Sequence, residues 1–293
     1  MKRLFLMSIL MLSALMIGAQ TKIAPKMKKG DKKVYVTEST ISVPTQKAVK
    51  ITAETTFEVT DATSDGYVLD VYVTDIKTDA TNAESRFYSM ATEMLKGIHT
   101  LYTTNKEGKV EKILDVEVVK KRTNDMLDKI LSDVPVPEST NKSDLRDKLM
   151  GNINEESLLQ SVQMSTSPLA LNGKTISTGT EEEFINKQTE LGLKMKRIYT
   201  LNSDGSIKAT STLDMSAEEM KNLLSGLLGQ LTSNLPDGFD QYLSSMMKDL
   251  KLESSEQSTY TLQKDGWVKG IVSEMTTSCM GQKITMSTKV TLK

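Results

Sequence analysis

His99 is the only histidine and Cys279 the only cysteine in the chain, so chemistry that needs an imidazole or a thiolate has one position each to use. A Ser-His-Asp arrangement would have to pass through His99, which lies between Ile98 and Leu101 where a helical pattern gives way to a strand pattern. A zinc site generally draws on several His or Cys ligands. Cys279 as a nucleophile would need His99 beside it, whereas the alternation places it on a strand face with Trp267, Ile271 and Met275. Ser245-Met-Met-Lys248 has the S-x-x-K spacing of a serine acyl-enzyme, but its companions are missing. Gly173-Lys174-Thr175 is not K-T-G, and the Ser-Asp pairs at Ser64 and Ser203 run into Gly instead of Asn. Gly173-Lys174-Thr175 also matches the end of a phosphate-binding loop whose first Gly would fall on Pro168. Asp61-Ala-Thr63-Ser-Asp65-Gly66 opens like a calcium loop, yet its twelfth position is Tyr72 and no bidentate Glu closes it, so it reads as a hairpin turn. Glu181-Glu182-Glu183 reads as a solvated run. No catalytic residue, metal ligand or cofactor is assigned.

The elements that would position any site are clearer. Ile51, Ala53, Thr55, Phe57 and Val59 alternate with Lys50, Thr52, Glu54, Thr56 and Glu58, a period of two with one face wet. After the turn at residues 61–66, Tyr67, Leu69, Val71 and Val73 return the chain as an antiparallel hairpin. Helical spacing appears at Phe87, Met90, Ala91, Met94, Leu95 and Ile98, and again at Met220, Leu223, Leu224, Leu227, Leu228 and Leu231 behind a Ser216–Glu219 capping box. A third stripe is Phe239, Tyr242, Leu243, Met246, Met247 and Leu250. Weaker helical patterns cover residues 116–131 and 145–162, separated by Pro135 and Pro137. The form Y-T-x-[NQ]-x-[DE]-G recurs at residues 102–108, 199–205 and 260–266, each a strand end entering a Gly turn. The first two copies lead through a strand into a helix, which suggests two related hairpin-plus-helix units. The C-terminus reads as a meander through Gly281.

Lys2 and Arg3, the apolar run at residues 4–17 and the small residues Gly18 and Ala19 have the order of a secretory leader, so residues 1–20 are read as a signal peptide and residues 21–293 as one domain. No later run approaches the ~20 apolar residues of a membrane span. No cysteine follows the expected cleavage point, so no lipid anchor is expected. The formal charge is -1 with interspersed Lys, Glu and Asp, which argues against nucleic acid. Aromatic residues make up 5% of the chain, too few for a stacking platform to lead. Methionine is frequent, at 18 residues, and its flexible thioether suits adaptable apolar surfaces.

The entry Lys28-Lys29-Gly30-Asp31 into a strand, the hairpin at Gly108-Lys109-Val110-Glu111, and Met280-Gly281-Gln282-Lys283 near the end resemble a family of secreted bacterial proteins defined by a domain of unknown function. In architecture the pattern is similar to the periplasmic lipoprotein-carrier fold, which implies ligand binding. The expected fold is α+β: an antiparallel sheet curved into an open half-barrel, with amphipathic helices packed on its concave face. The expected function is a secreted or periplasmic, non-enzymatic binding protein for a lipid or other apolar ligand. Its candidate lining is Met90, Met94, Leu95, Met220, Leu224, Leu227, Leu228, Phe239, Leu243, Met246 and Met247. The alternative is a structural or protein-interaction module of the envelope, with another envelope protein as its partner. A hydrolase with scattered carboxylates ranks last.

Overall fold

The computed structural model describes residues 20–44, 47–79, 96–133, 143, 146, 150, 154–186, 193–216, 218–220, 252–279 and 282–293. Among these, the chain runs β1 (Thr21–Lys22), β2 (Lys32–Ser42), β3 (Val49–Ala62), β4 (Gly66–Thr78), β5 (His99–Asn105), β6 (Val110–Ile113), α1 (Val116–Asp133), α2 (Glu155–Gln163), β7 (Thr175–Ile176), β8 (Glu181–Asn186), β9 (Leu193–Leu201), β10 (Ile207–Leu213), β11 (Leu252–Leu262), β12 (Val268–Cys279) and β13 (Gln282–Leu292). One sheet holds eleven strands in the order β6-β5-β4-β3-β2-β13-β12-β11-β10-β9-β8, every neighbour antiparallel, while β1 and β7 form a separate two-stranded ribbon. Each half of the sheet is a meander, and the two halves meet where β2 pairs with β13, Tyr35 opposite Leu292 through Ser42 opposite Thr285.

The alternation read from residues 50–59 is the reason for the sheet. Phe57, Val59 and Leu69 are buried on one face, here called inner, while Lys50, Thr52, Glu54 and Glu58 lie on the other. Along the outer face, Lys and Glu pair across strands, as in Lys32–Glu58 at 3.8 Å, Lys196–Glu181 at 2.8 Å and Lys293–Glu54.

The three Y-T-x-[NQ]-x-[DE]-G segments fold alike. Asn105, Asn202 and Gln263 each donate their backbone N–H to the carbonyl four residues on, and each accepts from the Gly N–H three residues on. Gly108, Gly205 and Gly266 adopt φ of 76°, 80° and 88°, the left-handed region that Gly enters without strain. Each leading tyrosine, Tyr102, Tyr199 or Tyr260, is buried in the core, so the motif couples a turn to a core anchor.

All three turns lie at one end of the sheet, and two loop segments, 22–28 and 165–176, fill that end. Ile23 N–H donates to Lys174 O and Gly173 N–H to Ile23 O, which ties the segments to each other, and Lys26 N–H donates to Asp265 O, which ties them to the β11–β12 turn. Ile23, Leu171 and Ile176 pack with Tyr35, Tyr199, Tyr260, Trp267 and Ile271 in one cluster. Pro25 touches both the Gly108 turn and the Gly266 turn. Those turns are six strand spacings apart, roughly 29 Å on a flat sheet, so the sheet bends around this plug.

The α+β class expected from sequence, with amphipathic helices packed as a layer on the concave face, is overturned. The described residues are dominated by a single unclosed eleven-stranded sheet, and α1 and α2 lie toward its β5–β6 side. The inner core is covered by irregular segments, whose apolar residues carry no helical period and so gave no signal of their own. Helices were expected over residues 116–131 and 145–162. The first is α1; within the second, α2 begins at Glu155 behind an Asn154–Ser157 capping box. The Ser216–Glu219 capping box also forms, with Glu219 N–H donating to Ser216 Oγ at 3.2 Å. Residues 1–19, 87–95 and 221–250, which carry most of the leader and most of the apolar stripes, lie outside the described residues.

Gly66 packs so closely beside β5 that a Cβ there would fall 1.7 Å from the Thr104 carbonyl oxygen. Gly66→Ala should therefore destabilise the protein by about 3 kcal/mol, read as a lowered urea midpoint with an unchanged m-value.

Candidate functional site

The inner face is divided by a belt of polar groups. Ser39, Thr288, Ser273 and Ser258 stand opposite one another on β2, β13, β12 and β11. Ser39 and Thr288 hydroxyls meet at 3.0 Å, Ser258 donates to Ser273 at 2.9 Å, and Ser273 donates to Glu256 Oε1 at 3.0 Å. From Glu256 the belt continues through Ser211 and Arg197 to Glu182 on β8. Arg197, 4% exposed, donates Nε–H to Ser211 Oγ at 2.9 Å and lies 3.7 Å from Glu256 and 3.9 Å from Glu182. Its guanidinium also stacks 4.3 Å from the Phe184 ring centroid.

The plug is latched to this belt at two points. Ser165 donates to Glu256, and Lys174 donates to Glu182 at 2.6 Å and to the Tyr199 hydroxyl at 3.1 Å, while Tyr199 donates to Glu182 at 2.6 Å. Burial pushes the Glu182 carboxyl up, but Lys174, the Tyr199 hydroxyl and Arg197 outweigh it and hold the group below the ordinary glutamate range. Burial also lowers Lys174, and the attraction of Glu182 offsets only part of that.

On the plug side of the belt, a cleft of about 190 Å³ opens between the sheet and the end of α2. Tyr35, Thr37, Thr55 and Phe57 form its sheet wall, and Ser161, Val162, Thr166, Ser167 and Pro168 face them. Tyr35 is held by donating to Val268 O at 2.7 Å and by an edge-to-face contact with Phe57 at 5.4 Å. Thr37 stands opposite Ala53, and Thr55 opposite Val73, so the cleft continues into the open half of the inner face. There Ile41, Ile51, Ala53, Val73, Ile76, Met275 and Met286 are each half-buried. A larger hollow of about 320 Å³ lies between two outer-face rows, Thr52-Glu38-Lys289-Val272 and Lys50-Thr40-Ser287-Glu274. Its charged rim is exposed to water.

Of the candidate lining residues, only Met220 is described; it is half-buried in the first turn behind the Ser216 cap. Met90, Met94, Leu95, Leu224, Leu227, Leu228, Phe239, Leu243, Met246 and Met247 lie outside the described residues, as do Ser245 and Lys248. His99 is on the outer face, stacked on Tyr72 at 4.2 Å and hydrogen-bonded to Asp70 at 2.8 Å. The 61–66 segment is a hairpin turn closed by Thr63 N–H to Gly66 O. Among the described residues, no three His, Cys, Asp or Glu side chains come together as metal ligands, and no helix is long and apolar enough to cross a membrane.

The buried ion network was not found in the sequence, although a signal was there. Leu193, Met195, Arg197, Tyr199 and Leu201 share one strand phase, so Arg197 occupies an apolar position, whereas Glu256 shares its phase with Ser254 and Ser258 and carries no such signal. The Glu181–Glu183 run is only partly solvated. Its first and third members are exposed, and Glu182 turns inward to Lys174.

Comparison with protein-family models gave no match, and a search of curated proteins also gave none. Six solved chains match. One is a structure of lipid–protein interactions in lipovitellin, similar with a TM-score of 0.40 and 10% identity over 92% of this chain and 25% of that one. Thus the protein spans a quarter of the lipovitellin chain. Another is a porin-like protein from Bacteroides uniformis ATCC 8492, with a TM-score of 0.20 and 13% identity over 93% of this chain and 99% of that one. Likenesses this weak define neither the class of the fold nor its ligand.

Arg197→Ala leaves Glu256 without the cation it faces, while Glu182 keeps Lys174, and should cost about 3 kcal/mol in chemical denaturation. Arg197→Leu combined with Glu256→Gln should recover part of that loss. Because Glu182 titrates lower in the folded state, its contribution is present above the ordinary glutamate value of 4.5 and is lost as pH falls through the folded value. Glu182→Gln should therefore flatten the acid limb of the stability–pH curve.

Proposed function

We propose that the protein is a secreted or periplasmic, non-enzymatic binding protein that holds an apolar or amphipathic ligand against the inner face of its sheet. The observation that carries this reading is the half-buried apolar surface at Ile51, Ala53, Val73 and Ile76 beside the cleft below Tyr35 and Phe57, with Ile41, Met275 and Met286 half-buried across the polar belt. Core side chains at that level of a sheet are normally covered, and a contiguous apolar surface left partly open is the form of a ligand or partner site. The leader-like first twenty residues support export.

A second reading, a protein-interaction module of the envelope, draws on β8. Among the described residues it pairs on one side only, with β9, and a one-sided strand can accept another.

Native mass spectrometry of the purified protein, followed by organic extraction, should reveal a co-purifying apolar molecule. Nile red, an uncharged apolar dye, should bind, and Ile51→Asp should weaken its binding at least tenfold with the circular dichroism spectrum preserved, because position 51 is half-open. A clean apo mass with no dye uptake would overturn the ligand reading and favour the interaction module.

A further inference from the structure

We infer that the ligand's polar end is uncharged and carries hydroxyl groups, as in an acylglycerol, and that the cleft beside α2 reads it. The inference rests on the ligand-binding reading above and concerns the same face.

Every described residue lining the cleft is uncharged. Among the described residues, the inner-face charges elsewhere are already committed. Arg197 lies between Glu182 and Glu256, Lys174 is paired with Glu182, and Lys33 with Asp265 at 3.2 Å. An ionised carboxylate or phosphate entering the cleft would shed water and meet no counter-charge, which disfavours it strongly. A neutral hydroxyl loses much less, and the cleft offers it partners. Among the described residues, the hydroxyls of Thr37, Thr55 and Thr166 make no hydrogen bond, and all three line the cleft. Each can both donate and accept, as a ligand hydroxyl can.

Size points the same way. An apolar cavity of about 150 Å³ takes one benzene, so about 190 Å³ holds a glycerol-sized head or a chain end and not a whole lipid. The rest of an amphiphile would lie along Ala53 and Val73, which pair with Thr37 and Thr55, and on to Ile76 beside Ala53.

The test is displacement of bound Nile red by three amphiphiles of one chain length: a monoacylglycerol, the free fatty acid at neutral pH, and the lysophosphatidylcholine. The monoacylglycerol should compete at least tenfold more strongly than either the anionic fatty acid or the zwitterionic lysophospholipid. Thr37→Val combined with Thr55→Val keeps the branched shape and should erase most of that preference, read as the ratio of the competition constants measured within the variant. Equal competition by all three, or an unchanged preference in the double variant, overturns the head-group inference and leaves the ligand-binding reading standing. Stronger competition by the fatty acid or the phospholipid also overturns it. If neither Nile red nor any amphiphile binds, both readings fall together.

Discussion

The pairing of β2 with β13 is the contact on which the architecture depends, because among the described residues it is the one ladder that joins the two meanders of the large sheet. The core cluster and the polar belt both span this seam, and the cleft lies beside it on β2 and β3. Tyr35 on β2 reaches Val268 O on β12, and Ser39 meets Thr288 directly across the join. The seam brings together segments almost the whole chain apart, so its loop-closure entropy is large and must be offset by the burial it permits. That burial comes from the plug, which touches turns of both meanders through Pro25 and ties to them through Lys26 and Asn172.

The polar belt is the second constraint. Placing Arg197, Glu256, Glu182 and Lys174 inside a β fold costs desolvation, and such a network rarely adds net stability over an apolar replacement of the same shape. What it supplies here is position. Hydrogen bonds from Ser165 to Glu256 and from Lys174 to Glu182 fix where the 165–176 segment sits, and the cleft wall at Thr166, Ser167 and Pro168 lies within that same segment. The electrostatic network and the proposed ligand site are therefore coupled through one loop. The charges satisfy each other, which leaves the neighbouring cleft neutral.

The sequence was readable wherever a short-range rule applied. The alternation at Ile51 to Val59, the three Tyr-led Gly turns, the Ser216–Glu219 cap, the extent of α1 and the C-terminal meander all rest on interactions within a few residues. The balance of helix and strand is less legible. Apolar helical stripes are conspicuous at Met220 to Leu231, whereas strands such as β11, with Ser254, Glu256 and Ser258 on its inner phase, look polar from sequence alone. They face inward because the belt satisfies them, which requires partners from β8, β9, β10, β12 and the plug.

By itself, then, the sequence determined that residues 50–59 and 67–73 alternate as a hairpin with one wet face, where the three Tyr-led segments turn, and that the first residues have the form of an export leader. Only the tertiary structure decided that the terminal strands meet in the middle of one eleven-stranded sheet, that loops fill its end, and that Thr37, Thr55 and Thr166 surround a neutral cleft. The physical reason is range. Alternation and turn chemistry act over neighbouring residues, while strand order, ion pairing and cavity shape are set by contacts between residues tens to hundreds of positions apart, such as Ser165 with Glu256 or Tyr35 with Val268.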